Sequence, residues 1–590
     1  MNAQYLIGID LGTTNCTMAA ASISSGLIET LPITQLTTFG EQNLTSLPSF
    51  IYFALPEEIS SGLPEHCLGT FARERGAEVP GRVIASAKSW LCHAGVDRRQ
   101  RILPSDAEEN SPKLSPIEAC TSLLSHLRNE WNTKHPEAPF DQQQIYVTVP
   151  ASFDPSARQL VQEAALEADY PDLVLLEEPQ AAFYAWLQSH EETWRKQLQV
   201  GDTILVVDIG GGTTDFSLIK VEEEAGEIAL RRLAVGAHLL LGGDNLDLAL
   251  AYVAKAKLEE QGHDLDIWQM QSLVHRCREA KESFLGDTPP EQLDISIRGR
   301  SSRLVGGTIT TSLSREEAEQ VLVEGFFPLV EPTERSSTER RLGIQQVGLP
   351  YAQDPRVSCQ LAKFLSMTGE TDSATMNQFV VPTAVLFNGG TLKSVSLRER
   401  IVELLNLWAA SLGHKPVTVL ADADYDFAVS RGAVNYGLAR NGKSIRIRGG
   451  TSRSYYIGVE DAVPAVPGVP TPLKAVCVVP FGMEEGTEQT LEGQEFALLL
   501  GQPATFRFFS RSTPDQKAEV RNWKRELTEL HPIETVLDRS DSDGRTIRVT
   551  LRSKVTELGV LELWCVAADG RQWKLEFDVR QSQPEDVLQG

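Results

Sequence analysis

Two stretches of this chain follow one pattern: residues 5–15, YLIGIDLGTTN, and residues 204–219, ILVVDIGGGTTDFSLI. In each, an apolar run of strand character reaches an aspartate, Asp10 or Asp208, and turns through glycine into two threonines. Glycine tolerates positive φ and lets another group approach the backbone closely. Successive N–H groups in such a turn form an anion-binding concavity, to which threonine hydroxyls add donors. A single turn of this kind is an ordinary tight hairpin. Two matched turns, with their aspartates 198 positions apart, read as an internal duplication whose halves grip a polyphosphate from both sides. Carboxylates beside phosphate repel it unless a cation intervenes, and Mg²⁺, bound largely through its water shell, resolves the conflict. Neither stretch matches Gly-x-x-x-x-Gly-Lys-Ser/Thr or Gly-x-Gly-x-x-Gly, so the P-loop and Rossmann readings lose support. A third glycine turn, in residues 384–391 (AVLFNGGT), follows an apolar run and has the composition to pass under a base or ribose.

The flanking sequence predicts an α/β architecture up to about residue 440. Residues 145–149 (IYVTV) form a short β-rich run stopped by Pro150. Ser156 to Ala168 then shows helical spacing behind Asp154-Pro155, with Leu160, Val161, Ala164, Ala165 and Ala168 on one side. Strand and helix alternate in this way along the first part of the chain. Residues 328–380 carry few periodic signals, and part of this segment reads as an insertion or long loop. Beyond residue 440 the texture changes. Asn441-Gly442, Gly449-Gly450 and four prolines between 464 and 472 mark breaks, and strands then dominate. Ile547, Val549 and Leu551 alternate with polar residues, as do Trp573, Leu575, Phe577 and Val579, and Ala568-Asp569-Gly570 reads as a hairpin turn. The expected division is 1–440 for the nucleotide-binding part, 441–450 for a linker and 451–590 for a β-sandwich.

Composition narrows the function. At 590 residues, the chain has room for roughly three to five domains. A formal net charge of −25 disfavours nucleic acid and anionic membrane surfaces as partners. The Glu222–Glu224 run reads as a solvated hairpin tip. None of the eight cysteines forms a Cys-x-x-Cys pair, which suits reduced, structural thiols, and Cys92-His93 is a poor metal site without a second pair. There is no signal-peptide pattern and no apolar run of membrane-spanning length, so a cytoplasmic location is expected.

Several motifs together resemble the DnaK-type, 70-kilodalton heat-shock chaperones: residues 7–15 (IGIDLGTTN), 147–153 (VTVPASF), 177–182 (EEPQAA), 207–215 (VDIGGGTTD), 241–244 (LGGD) and 424–433 (DYDFAVSRGA). The resemblance runs through the chain in order and thins after residue 440. It implies an actin-like, two-lobed ATPase part with a duplicated βα core, a short linker and a β-sandwich that binds extended peptide. By this resemblance Gly12, Thr13 and Thr14 hold phosphate from one lobe, and Gly210, Gly211, Gly212 and Thr213 hold it from the other. Asp10 and Asp208 position Mg²⁺ through water, Glu178 and Asp215 lie near the attacking water and metal shell, and Lys88, in residues 86–90 (SAKSW), matches the catalytic lysine. Asp208 and Thr213 are also assigned to the catalytic set. Gly242, Gly243 and Asp244 lie by phosphate or ribose; Lys281, Gly389, Gly390, Lys393 and Asp426 surround adenosine; Pro150 matches the switch proline that couples nucleotide state to the second part.

The implied cofactors are ATP and Mg²⁺. The implied partners are unfolded or extended client polypeptide, a J-domain co-chaperone and a nucleotide-exchange factor. Three departures accompany the resemblance. In residues 275–285 (HRCREAKESFL), Arg278 stands where the family has a ribose-binding acid and Leu285 where a small hydroxyl is common, which predicts weaker nucleotide binding. The linker carries residues 444–448 (SIRIR) in place of an aliphatic run, and no helical lid is expected after the β-sandwich. Against the ATP-hydrolysing chaperone stand a nucleotide-gated scaffold dedicated to one partner, a small-molecule kinase on the same fold and an actin-like filament protein.

Overall fold

In a computed structural model of the full chain, the description covers residues 3–575 except 80, 94, 108–110, 172, 192, 225–226, 237–238, 300–306, 335–348, 350, 368–378, 422, 443–450, 452, 462, 465–470, 484–486, 492, 502, 512–516, 531, 537–545 and 556–560. Two sheets carry the duplicated stretches. In the first, strands Ile28–Thr30, Asn15–Ser22, Tyr5–Leu11, Gln144–Val149 and Leu173–Glu177 lie side by side. In the second the order is Glu227–Val235, Thr214–Glu224, Thr203–Ile209, Ala384–Asn388 and Thr418–Val419. Each sheet pairs its first three strands antiparallel and its last three parallel. The sequence repeat is therefore a repeat of topology: each glycine turn joins an antiparallel hairpin, and the strand before it pairs in parallel with a later one.

The strands are apolar along their length because both faces of each sheet are covered. Five of the six residues in Gln144–Val149 are buried, the continuous pattern of a strand packed on two sides. One core lies outside the first sheet, around Trp131, Phe140 and Leu160. Another lies outside the second, around Phe216, Leu405 and Trp408. A third lies between the sheets and joins Leu6 and Tyr146 of one to Ile204 and Leu386 of the other through Phe183, Trp186, Val434 and Tyr436. Those last four belong to helices Glu178–Ser189 and Ala428–Arg440, whose close approach requires Gly432: a Cβ there would lie 1.8 Å from the Ala181 carbonyl oxygen.

The helix expected after Pro150 runs Pro155–Glu167, capped by the Asp154 carboxylate, which accepts from the Ala157 N–H at 2.8 Å. Within the segment read in part as a loop, Val357–Met367 is a helix, with Val357, Leu361, Ala362 and Leu365 in the core of the second sheet. Its prolines and polar runs lie outside that stretch, and 335–348 and 368–378 fall outside the described residues. The linker residues 443–450 do as well. From Ser454 onward the elements are mainly strands. Two five-stranded sheets, one containing Ser454–Glu460 and Leu473–Val479, the other Thr546–Val555 and Leu561–Ala567, share a core in which Tyr455, Ile457 and Val478 meet Leu551, Leu563 and Cys565. Ala567 and Gln572 flank the hairpin turn at Gly570, whose φ of +90° only glycine adopts freely. Arg453 at the start of this region donates to the Gly236 carbonyl beside the second sheet, 3.1 Å away. Among the described residues no helix is long and apolar enough to cross a membrane, and all eight cysteines are free thiols.

Candidate functional site

The two glycine turns meet face to face. A Cβ at Gly211 would lie 1.8 Å from Thr14 Oγ1, and one at Gly212 would lie 2.8 Å from Thr13 Cγ2. No other residue type fits there without prising the halves apart. Above the turns opens a cavity of about 590 Å³, lined from both sheets. Its walls include Asp10, Gly12, Thr13, Thr14, Lys88 and Glu178 from the first half, and Asp208, Gly210, Gly211, Thr213, Asp244 and Lys281 from the second. Gly389, Gly390, Lys393 and Asp426 line it too, and Gly389 lies close beside Asp208: a Cβ there would stand 2.7 Å from Asp208 Oδ1. Gly212, Gly242, Gly243, Asp215 and Pro150 are not part of the lining. Gly242 and Gly243 instead brace the second turn. The Gly243 and Asp244 N–H groups donate to the Gly210 and Gly211 carbonyls at 3.0 and 2.7 Å, and a Cβ on Gly242 would lie 2.6 Å from the Gly211 oxygen.

Among the described lining residues, Lys88 is the ammonium contributed by the first half, and it is buried. It lies on the short helix Ala87–Trp90, behind Ser86, whose φ of 55° is unusual for a side-chain-bearing residue. Its Nζ pairs with Glu178 and stands 5.8 Å from the centre of the Phe153 ring. Burial pulls the lysine pKa down, but Glu178 and Asp10 outweigh it and hold the group above its ordinary value. Around this cation stand four carboxylates, and the crowding raises three of them, Asp10, Asp208 and Asp215. Burial and the Glu178 charge push Asp10 up to about 7 and raise Asp208 well above the carboxylate range. Burial, then the Glu178 charge, also brings Asp215 to about 7 against hydrogen bonds from Ser152.

Such a concentration of negative charge in a partly buried site fits a divalent cation. Among the described residues no three His, Cys, Asp or Glu side chains are grouped to hold a bare ion. The donor set therefore suits a magnesium ion that keeps several waters and takes its other ligands from phosphate.

The aspartates at the two strand ends are held by different partners. Thr148 Oγ1 donates to Asp10 Oδ1 at 3.2 Å, and Asn388 Nδ2 donates to Asp208 Oδ2 at 2.8 Å. Sequence reasoning passed over Asn388, Thr148 and Ser152. Asn388 had a visible signal: it ends an apolar run just before Gly389-Gly390, as Asp10 and Asp208 do before their own turns, and it is the register partner of Asp208. Thr391 was also missed; its hydroxyl donates to the Gly210 carbonyl at 2.8 Å and ties the third turn to the second.

The far end of the cavity is held by ion pairs. Lys393 meets Asp426 at 2.5 Å. Helix Ile267–Phe284, started by the Asp266–Gln269 capping box, presents Arg278 and Lys281 to the cavity. Arg278 donates to Asp244 at 2.6 Å and to Asp247 at 2.9 Å, while Lys281 meets Asp247 at 2.7 Å. Asp247, fully buried, requires both cations. Arg278, an outlier in the motif comparison, thus bridges two aspartates inside a four-membered charge network with Lys281.

A family profile described as Hsp70 protein matches residues 6–347, more than half of the chain. The chain belongs to the Hsp70 family. Its relatives in that family include the "Chaperone protein HscA homolog" of Photobacterium profundum, 31% identical over 304 residues that make up 49% of this chain and 43% of that protein. The "Chaperone protein HscA" of Klebsiella pneumoniae is 33% identical over 254 residues, 41% of this chain and 36% of that one. The "Chaperone protein dnaK" of Trieres chinensis is 26% identical over 426 residues, 69% and 64% of the two chains. This Hsp70 chain thus spans less than half the length of the HscA relatives it matches and under two thirds of the dnaK protein.

Proposed function

We propose that this Hsp70 family member is an ATP-hydrolysing molecular chaperone: a two-lobed, actin-like ATPase region at 1–440, a linker at 441–450, and a β-sandwich at 451–590 that binds unfolded or extended polypeptide. The observation that carries the reading is Lys88, paired with Glu178 from the same half and lining one cavity with Asp208 of the other, between two interlocked glycine turns. The printed names of the relatives, chaperone proteins of the HscA and dnaK kinds, agree with it.

In this reading the N–H groups and hydroxyls of Gly12, Thr13 and Thr14, and of Gly210, Gly211 and Thr213, cradle the phosphates. Asp10 and Asp208 would hold Mg²⁺ through water, and that ion would neutralise charge on the β- and γ-phosphate oxygens. The Lys88 ammonium lies where negative charge gathers on the transferred phosphoryl group, in a buried setting where a fixed charge is worth most. Glu178, paired to Lys88, and Asp215, held by Ser152, orient the attacking water and accept its proton. Pro150 caps the strand beside Lys88 and leads into the turn containing Phe153, whose N–H donates to the Pro150 carbonyl at 3.1 Å. This gives a path from the phosphates toward the β-rich region, where Arg453 touches the second half. A J-domain co-chaperone and an exchange factor would act on this cycle in the cytoplasm.

The test is ATP turnover with and without a panel of unfolded peptides, repeated with Lys88→Ala and with residues 449–590 removed. Peptide-stimulated hydrolysis lost on both changes supports the chaperone. Hydrolysis indifferent to every peptide favours the second reading, a nucleotide-gated scaffold for one partner, which the occupied sugar end around Arg278 recommends. Sugar-dependent ADP release would point to a kinase instead.

A further inference from the structure

Lys88 has to be held in place from outside its own helix. Ala87–Trp90 is four residues long, and one turn closes too few hydrogen bonds to offset the cost of nucleating it. Its N-terminal end is entered through the left-handed Ser86. Its C-terminal end is gripped by a single side chain. Arg98 is 1% exposed, and its Nη1 donates to the carbonyl of Leu91, the residue that ends the helix, at 3.1 Å. Its Nη2 donates to Ser156 Oγ at 3.2 Å. Ser156 is itself buried, in the first turn of helix Pro155–Glu167 beside the Asp154 cap. The guanidinium is therefore a strut between the Lys88 helix and the element that follows Pro150. The turn between them carries Phe153, whose ring centre is 5.8 Å from Lys88 Nζ, and Ser152, which holds Asp215. Burying this cation is costly: it lowers Arg98 below the ordinary arginine value against the pull of the Asp154 charge, and among the described residues its Nε finds no partner. Apolar side chains of similar volume fill such a space as well or better when packing is all that is needed.

We infer that Arg98 is a positioning residue for Lys88: it fixes helix Ala87–Trp90 against helix Pro155–Glu167 and so sets where the ammonium stands. Arg98 is not among the residues lining the cavity, and it acts on the chemistry only through the lysine. Its effect on turnover rests on the ATPase reading above; its hold on Lys88 does not. Two donors on one rigid fork fix both the distance and the angle between the helices, which a lysine at the same position would not do.

The test uses the full chain with Arg98→Met, Arg98→Lys and Ser156→Ala, and has two readouts. The first needs no nucleotide: amide hydrogen exchange over residues 87–92, and the rate at which Lys88 is acetylated by an activated ester, both read by mass spectrometry. Loss of a charged donor is worth roughly 10- to 100-fold. Both rates should rise by that margin in Arg98→Met, while exchange in strands Tyr5–Leu11 and Gln144–Val149 stays at the wild-type level. Arg98→Lys and Ser156→Ala, which each keep part of the strut, should fall between. The second readout is single-turnover hydrolysis beside equilibrium binding of Mg-ATP. Arg98→Met should slow hydrolysis about 10- to 100-fold with affinity within about threefold, and should cost nothing further in a Lys88→Ala background. A general loss of stability produces neither the split nor the missing additivity. Unchanged exchange and acetylation in Arg98→Met overturn the proposal, as does a fully additive loss in the double variant. If Arg98→Met does not fold, unchanged rates in both Arg98→Lys and Ser156→Ala overturn it equally. A wild type that hydrolyses no ATP overturns the ATPase reading and the effect on turnover, while the nucleotide-free rates still decide whether Arg98 holds Lys88.

Discussion

The two ends of the cavity are built on opposite plans. At the glycine-turn end both halves contribute, Lys88, Asp208 and Asp215 are buried while Asp10 and Glu178 are half-buried, and four carboxylates crowd one ammonium. At the sugar end the charges come almost wholly from the second half and are balanced in pairs: Arg278 and Lys281 with Asp244 and Asp247, Lys393 with Asp426. At the first end carboxylates outnumber cations, an imbalance that a bound divalent cation would relieve. The second is satisfied before any ligand arrives. The first end should therefore depend on how the halves meet at the turns, while the other is held mainly by ion pairs within the second half.

The strongest way to break this contrast is Lys88→Ala. Turnover should fall on the order of 100- to 1,000-fold, the range for loss of a buried charge stabiliser, while Mg-ATP affinity changes only a few-fold. Single-turnover hydrolysis beside equilibrium binding checks it, and a variant that merely bound ATP poorly would assign the lysine to the wrong task. Gly211→Ala comes next. Its new methyl group meets Thr14 Oγ1, so the turns must separate, at roughly 1–3 kcal/mol of overpacking and with nucleotide affinity lowered more than about tenfold. Denaturant unfolding and titration measure both, and a stable variant of normal affinity would mean that the turns are not in contact.

The repulsion has its own pH signature. Asp215 titrates at about 7 in the fold, against about 3.9 for a free aspartate. The folded chain thus holds the proton more tightly, and stability at this residue declines as pH rises from about 4 through 7. Removing the charge should reverse that loss. Without nucleotide or metal, Asp215→Asn is expected to melt above wild type at pH 8, by about 1–2 kcal/mol, and to converge with it near pH 4. A gap that is the same at both pH values would locate the effect in packing. The smallest effect belongs to the sugar end: Lys393→Met breaks an exposed pair, and stability should move by less than about 0.5 kcal/mol. A larger loss in chemical unfolding would show that this end, too, is under strain.

Much of the site was legible because its parts are local. An aspartate at a strand end, a glycine turn and two threonines occupy five consecutive residues in the first stretch and seven in the second, so the pattern survives without knowledge of what packs against it. The alternation in 547–551 and the hairpin at Gly570 were readable for the same reason, since a period of two depends only on which face of a strand is wet. The helix Val357–Met367 was not, because its apolar face is short and flanked by proline and polar runs that mask its period.

Partner choice was likewise closed to the sequence. Asp208 and Asn388 are 180 residues apart and meet only because strands Thr203–Ile209 and Ala384–Asn388 align in one register. Arg278 read as a lost ligand until its guanidinium was found across the helix pair on Asp244 and Asp247.

The amino-acid sequence alone determined the duplicated strand-turn pattern, the candidate phosphate-binding groups and the family, since each is encoded by neighbouring residues whose backbone geometry and period are intrinsic. Tertiary structure alone decided which turn touches which, why Gly211 and Gly212 admit no side chain, and which carboxylates carry raised pKa values. Close approach, burial and the field of distant charges exist only after the two sheets have closed on a common core.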